Sequence, residues 1–373
     1  MKRIREKYRV LLIAALVMSM LIAFAGVAYG ASSSVTVKPS GKTDNTDVKR
    51  ITKALKKYKT VKLKKGKKYY LETPIHAKSN RTLVASGAII VAKNDVIACD
   101  LNKADYSNIV NFTIKGGTWK SKSKAGYKST SIRFIHGDNI KLIDMTIKHP
   151  SYNGHAIELV GCKNVLVDNV TIMPQGTAKK SVETMLQIDI ATTANYPSFK
   201  KKPALSNGAV CDNIVIQNCT ITGNKAVATG FDKGNVQGFI NSAHTNIQIL
   251  NNKLIGKNAE ALFLPNVKNA VVSGNYIESD LNNSTDNAIG CHFLVAGNIP
   301  DTSFECTNNT IKGGKYALRV WPVLQPEGIL VGSTVITGNT CYCKSGAGSA
   351  IQAAEKGIAE NGLTLSGNSS YKW

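Results

Sequence analysis

Two acids and a guanidinium fall at matched places in short recurring phrases of this chain. HAIELV (155–160) sets Glu158 between Ile157 and Leu159, SIRFIHGDN (131–139) sets Arg133 at the same place, and LQIDI (186–190) offers Gln187 or Asp189 there. Alternate residues of an extended strand face the same side. With Ile157 and Leu159 inward, Ala156 and Glu158 point outward. ALFL, AIGC, ALRV and AIQA then add Phe263, Gly290, Arg319 and Gln352 to one outward column, with an unassigned turn near Ile240.

Strands of a parallel ladder lie about 4.8 Å apart and alternate residues about 6.6 Å, so Glu158 and Asp189 fall within about 5–9 Å of each other. That range covers the carboxylate separations of both retaining and inverting glycosidases. Two carboxylates so close repel, and one pKa rises, which gives an acid and a base. Arg133 is placed to hold Glu158 ionised or to grip a substrate carboxylate. Glu183 shares parity with Gln187 and Asp189 and is a third candidate carboxylate. Phe263 is a sugar-stacking platform, and Gln187 and Arg319 are further substrate contacts. His155 has inward parity but opens its strand, where the chain is still turning, and is a catalytic candidate. His244 lies at a corner beside the same region and is a binding candidate. His292 has inward parity and is set aside, while Tyr196 and Trp321 lie on flanking loops as rims of a cleft. The competing reading is a surface ion ladder, in which each pair contributes little. No lysine enters the column, although lysine is plentiful, and the flanking loops are long; both favour a site.

What must position these residues is a repeat. GHAIELVGCKNVLVDNVTI (154–172) aligns without a gap on AEALFLPNVKNAVVSGNYI (259–277). Its closing phrase recurs with Asn111, Asp144, Asn169, Asn218, Asn252, Asn275, Asn309, Asn339 and Asn368 before the last strand, in steps of 23 to 49 residues. Short β-rich units of such period cannot bury their apolar residues alone and must stack as a solenoid. The 49-residue step is two turns, or one turn with a long loop. Asn and Gly at the corners tolerate the left-handed backbone that a sharp bend needs, and stacked Asn amides are expected to bond rung to rung. Period-breaking loops at 121–130, 174–182, 191–209, 223–237, 278–287 and 322–332 should build the binding face. Near the amino end, Val48, Ile51, Ala54 and Leu55 recur at helical spacing within 43–58. TVKLKKGKKYYLETPI (60–75) follows as two strands with Gly66 in the turn. A helix there covers the open end of the first rung.

The ends and the charge bound the setting. Five cations within residues 1–9, the apolar run Val10–Val27 and Ala28-Tyr29-Gly30 read as a secretory signal peptide, with an uncleaved membrane anchor as the alternative. The first 30 residues hold five cations and one acid, which leaves +19 of the net +23 on the remainder. Nine lysines lie between Lys53 and Lys68. This charge points to an anionic partner or an anionic cell envelope, and export argues against nucleic acid. Eight cysteines are scattered with no Cys-x-x-Cys pair, so a structural zinc site lacks support, and buried thiols with a bridge or two are expected.

The helix beginning at Asp44, the strands around Lys64-Lys65-Gly66 and the Asn-punctuated coils that follow resemble the pectin lyase-like superfamily, which includes pectate lyases and polygalacturonases. The resemblance covers about residues 43–371. It implies an all-β, right-handed, single-stranded parallel β-helix with an amino-terminal capping α-helix. The organisation is then a signal peptide (1–30), a linker (31–43) and one domain (44–373) capped by 44–75. The polygalacturonase motifs are incomplete. Asn45-Thr46-Asp47 sits in the cap, Asp-Asp is absent, Gly154-His155-Ala156 lacks the last glycine and Leu318-Arg319-Val320 lacks the lysine. No catalytic residue therefore follows from the motifs. The resemblance and the charge together imply a secreted, monomeric enzyme on an acidic polysaccharide such as polygalacturonate. It is a glycoside hydrolase through Glu158 and Asp189, or a lyase using Arg133, Arg319 or a lysine as base. Similarity to pectate lyases implies calcium on Glu158, Glu183 and Asp189 in the lyase case. The alternative is a non-catalytic surface protein that binds glycan or envelope.

Overall fold

The computed structural model describes residues 33–121, 130–150, 154–175, 184–230, 242–257, 259–279, 289–296, 299, 302–323, 333–353 and 362–373. The signal-peptide reading of 1–30, Glu183 and the turn near Ile240 lie outside the described residues.

Each winding contributes one short strand to each of three sheets, of 12, 10 and 11 strands among the described residues, and successive windings pair in parallel. Inward residues of all three sheets meet in one core. Tyr69, Phe112, Trp119, Phe134, Phe293 and Phe304 are fully buried there, as the alternation predicts. The chain is a right-handed parallel β-helix. Lys163 pairs with Asp212 and Val165 with Ile214, so the 49-residue step is one winding with a long excursion.

Helix α1 spans Thr46–Lys57 and buries Val48, Ile51, Ala54 and Leu55 against the first winding. Asp47 is fully buried in its first turn and accepts hydrogen bonds from the Ser40 N–H (2.7 Å) and the Tyr70 N–H (3.0 Å), tying the helix to both flanking segments. Residues expected in a linker are structured. Ser34–Val37 form a strand parallel to Thr60–Leu63, because apolar Val37 is buried and the first rung needs a partner for its backbone. Strands Thr60–Leu63 and Lys68–Leu71 flank Gly66, whose φ of +71° makes the turn.

The expected amide ladder is two ladders. Asn111, Asn139, Asn164, Asn213, Asn246 and Asn269 all have φ between +52° and +55°. Asn139 Nδ2 donates to Asn111 Oδ1 (2.7 Å) and Asn213 Nδ2 to Asn164 Oδ1 (2.8 Å), while Asn164 and Asn246 donate to Asp138 and Asp212 of the winding before. A second, buried file runs Asn252, Asn275, Asn309, Asn339 and Asn368. The repeat register mixes these positions. Val110 pairs with Asp138 and Phe112 with Ile140, which sets Asn111 beside Asn139, not in line with Asp144. All eight cysteines are free thiols and no bridge forms.

The buried file is a chain of donors and acceptors in the dry core. Asn309 Oδ1 accepts from the Asn275 N–H and Nδ2 (both 2.9 Å), and its own Nδ2 donates to Asn339 Oδ1 (2.9 Å). Removing one amide strands partners above and below, each at about 1–3 kcal/mol. Asn309→Ala is therefore expected to lose about 3 kcal/mol in urea unfolding. A loss below about 1 kcal/mol would contradict that role.

Candidate active site

The ten-stranded sheet carries the column. Backbone pairing sets Arg133 opposite Glu158, Glu158 opposite Gln187, Gln187 opposite Ala228 and Ala228 opposite Phe263. It continues as Phe263 to His292, His292 to Arg319 and Arg319 to Gln352. Ala228 occupies the turn left unassigned. Gly290 does not enter the column; His292 does. Cys291 pairs with Leu262 and Leu318, which shifts that strand by two residues from the sequence register. Ala156 is buried in the core, because the strand begins only at Ile157.

Gln187 faces Glu158, while Asp189 lies two residues on, opposite Val160 and on the same side of the sheet as Gln187. The acids come together: one ligand atom each from His155, Glu158 and Asp189 lie within 4.8 Å of one another. This is not a surface ion ladder, since Glu158 is 3% and Asp189 5% exposed. The excursion after Asp189 packs on the same wall. Its 3-10 turns, Pro197–Lys201 and Pro203–Leu205, pack Phe199 and Leu205 on the outward residues Ile135 and Val160. Tyr196 of the same loop lies against Arg133, ring centroid to Cζ 4.9 Å.

The environments of the two acids differ. Glu158 Oε2 accepts from Arg133 Nε and from Thr130 Oγ1 (3.2 Å), and Thr130 Oγ1 in turn accepts from an Arg133 Nη2 N–H (2.7 Å). Burial works against the Arg133 charge, but Glu158 outweighs it and the guanidinium pKa rises; Asp95 lies 3.8 Å from Nη1. Asp189 accepts from Gln187 Nε2 (2.7 Å) and has no cation bonded to it among the described residues. Burial first and the Glu158 charge second push the Asp189 pKa up to about 7. His155 donates from Nδ1 to the Thr184 carbonyl (2.6 Å), because a carbonyl can only accept, and this bond orients the ring beside the two acids.

The other candidates separate. His244 is fully buried. Nδ1 accepts from the Cys211 N–H (3.0 Å), Nε2 donates to the Gly230 carbonyl (2.8 Å), and burial takes its pKa down to about 4. It is a structural imidazole, and the substrate-binding expectation for it is corrected. Phe263 and Arg319 lie on the same wall but about 14 and 24 Å from Glu158 at the ladder spacing. A raised pKa in an ion pair also removes Arg133 as a lyase base. Sequence reasoning missed Asp95, Thr130 and Gly230. Thr130 stands just before the Arg133 strand, and Asp95 is reached by extending the register one rung back, where Ile97 pairs with Ile132. At Gly230 a Cβ would stand 2.0 Å from Asp189 Oδ1, a close approach that sequence spacing gives no sign of.

As metal donors, His155, Glu158 and Asp189 offer one nitrogen and two carboxylates, a set suited to a transition ion. Calcium takes six to eight oxygens, and only two of the carboxylates expected for it lie among the described residues. The adjoining Arg133 already supplies positive charge to Glu158.

No protein-family model and no curated sequence matches this chain. In structure it is similar to the surface adhesin PfbA of Streptococcus pneumoniae, with 15% identity over 90% of this chain and 97% of that one and a TM-score of 0.57. It is also similar to an endo-xylogalacturonan hydrolase from Aspergillus tubingensis (12% identity, 91% and 93% covered, TM-score 0.53). The tailspike protein of E. coli bacteriophage HK620 matches over 83% of this chain and 60% of that one, at 11% identity and TM-score 0.51. At these identities the likeness establishes the fold alone, a right-handed parallel β-helix.

The Asp189 shift has a sign. Between the ordinary value of 3.8 and about 7, the native state holds a proton that the unfolded chain releases, so this contribution to stability is full below pH 4 and lost as pH rises through 7. Asp189→Asn keeps the shape and removes the titration. It is expected to flatten the stability profile from pH 4 to 8, by no more than about 4 kcal/mol. Urea unfolding across that range checks this, and parallel profiles for the two proteins would refute it.

Proposed function

We propose that this chain is an exported carbohydrate-active enzyme that hydrolyses an acidic polysaccharide, with Asp189 and Glu158 as its acid/base pair. The observation that carries the reading is the contrast between two buried carboxylates that approach within 4.8 Å. One is ion-paired to Arg133, and the other has its pKa pushed up to about 7. Unequal surroundings of this kind assign the roles. Below about pH 7 Asp189 holds a proton that it can give to the leaving glycosidic oxygen. Glu158, fixed by its ion pair with Arg133 and the bond from Thr130, faces the positive charge that develops on the sugar ring and serves as nucleophile or base. His155, oriented through Thr184, lies beside both and steadies the charge that Asp189 acquires.

The acidic substrate is supported by the charge of +19 outside residues 1–30 and by the likeness to an endo-xylogalacturonan hydrolase. Export follows from the signal-peptide reading of residues 1–30. Likeness to the adhesin PfbA favours a second reading, in which the wall binds a surface glycan without cleaving it.

Wild type, Glu158→Gln and Asp189→Asn are compared on polyuronates and neutral glycans. Hydrolysis predicts new reducing ends without the ultraviolet absorbance of an unsaturated uronate, and a loss of about 10²- to 10⁴-fold in kcat for either variant. Wild-type activity should fall as pH rises through about 7, as the Asp189 proton is lost. Ultraviolet-absorbing products would make the protein a lyase. Binding without any product would make it a glycan-binding protein.

A further inference from the structure

The same outer wall holds a second cluster farther along the coil. His292 lies in register between Phe263 and Arg319. Its ring stands 5.2 Å from that of Phe263 and 6.3 Å from that of Trp321, nearly parallel to the latter. Glu260 Oε1 is 3.5 Å from His292 Nδ1, and Glu260 Oε2 is 3.1 Å from Lys225 Nζ. Lys225 Nζ also lies 4.4 Å from the centre of the Phe263 ring, and Arg319 Cζ 3.2 Å from that of Trp321. Glu260 is thus held by His292 and Lys225, while Arg319 stacks on Trp321.

The chemistry of the cluster is that of binding. Burial works against the Glu260 charge, but the His292 hydrogen bond and Lys225 outweigh it and take the pKa down to about 2, so Glu260 has no proton to give at neutral pH. A metal ion would find two donors there, one of them already bonded to Lys225. A carboxylate accepts, so His292 Nδ1 donates to Glu260, and burial disfavours the doubly protonated ring. Nε2 is then an acceptor. It is buried and has no hydrogen-bond partner among the described residues. Such an atom calls for a donor that comes with a ligand.

We infer that this wall carries a second carbohydrate subsite, centred on His292, which holds a uronate-bearing sugar of the polymer engaged at the carboxylate pair. A sugar hydroxyl donates to His292 Nε2, the apolar ring face rests on the partly exposed rings of Phe263 and Trp321, and Lys225 and Arg319 face the uronate charge. His292 is four rungs from Glu158, about 19 Å at the ladder spacing. The inference rests on reading the wall as a polysaccharide site, and it adds that affinity depends on chain length.

The test is calorimetric binding of oligogalacturonates of graded length to the Asp189→Asn protein, which keeps them intact. Chains able to span about 19 Å are expected to bind about tenfold tighter than short ones, the worth of one well-made hydrogen bond with its stacking. His292→Phe should cut that advantage to within about twofold, while His292→Gln, which retains an acceptor, should restore part of it. Phe263→Leu gives an independent reading of the subsite should His292→Phe fail to fold. Equal affinity for long and short chains, or an advantage that survives both His292→Phe and Phe263→Leu, would overturn the subsite. Absence of product from wild type overturns hydrolysis but leaves the length dependence to be read, so the two failures are separable.

Discussion

Backbone hydrogen bonding between successive windings is the constraint on which everything else rests. It holds strands about 4.8 Å apart and decides which residue of one winding lies beside which of the next. A slip of one residue would turn Glu158 into the core and Leu159 out of it. The two Asn files reinforce this spacing, one by holding a left-handed corner in each winding and the other by threading amides through the apolar interior. Register is thereby fixed at two corners, and the wall between them inherits it.

On that wall the decisive physics is unequal solvation of like groups. Glu158 and Asp189 both lose water, but only Glu158 gains a guanidinium in exchange. The loop bearing Tyr196 and Phe199 packs beside them, with Tyr196 over Arg133 and Phe199 on Ile135 and Val160. A site of this kind is unstable as an arrangement of charges and is held together by the coil around it. The strain appears as the upward shift of Asp189.

The solenoid and the inward alternation were legible because they are written in local period: Val165 and Val167 against Ile214 and Ile216 need no distant information. The column through Arg133, Glu158 and Gln187 followed from the same period. The errors arose where the period is interrupted. Parity put His292 inside, but the actual pairing of Cys291 with Leu262 turns it out. Asn111 was matched to the wrong corner because two corners of a winding both use Asn. The burial of His244 and the press of Gly230 on Asp189 depend on how an excursion folds back, and no spacing within a strand encodes that.

The windings differ widely in length, from 23 residues to 49, yet the files of amides at their corners run on across the difference. Corner and excursion are thus mechanically independent. Such a coil can acquire, trim or exchange a side excursion without shifting the spacing of its neighbours. New specificity can then arise by replacing what overhangs the wall, with the carboxylates beneath left undisturbed.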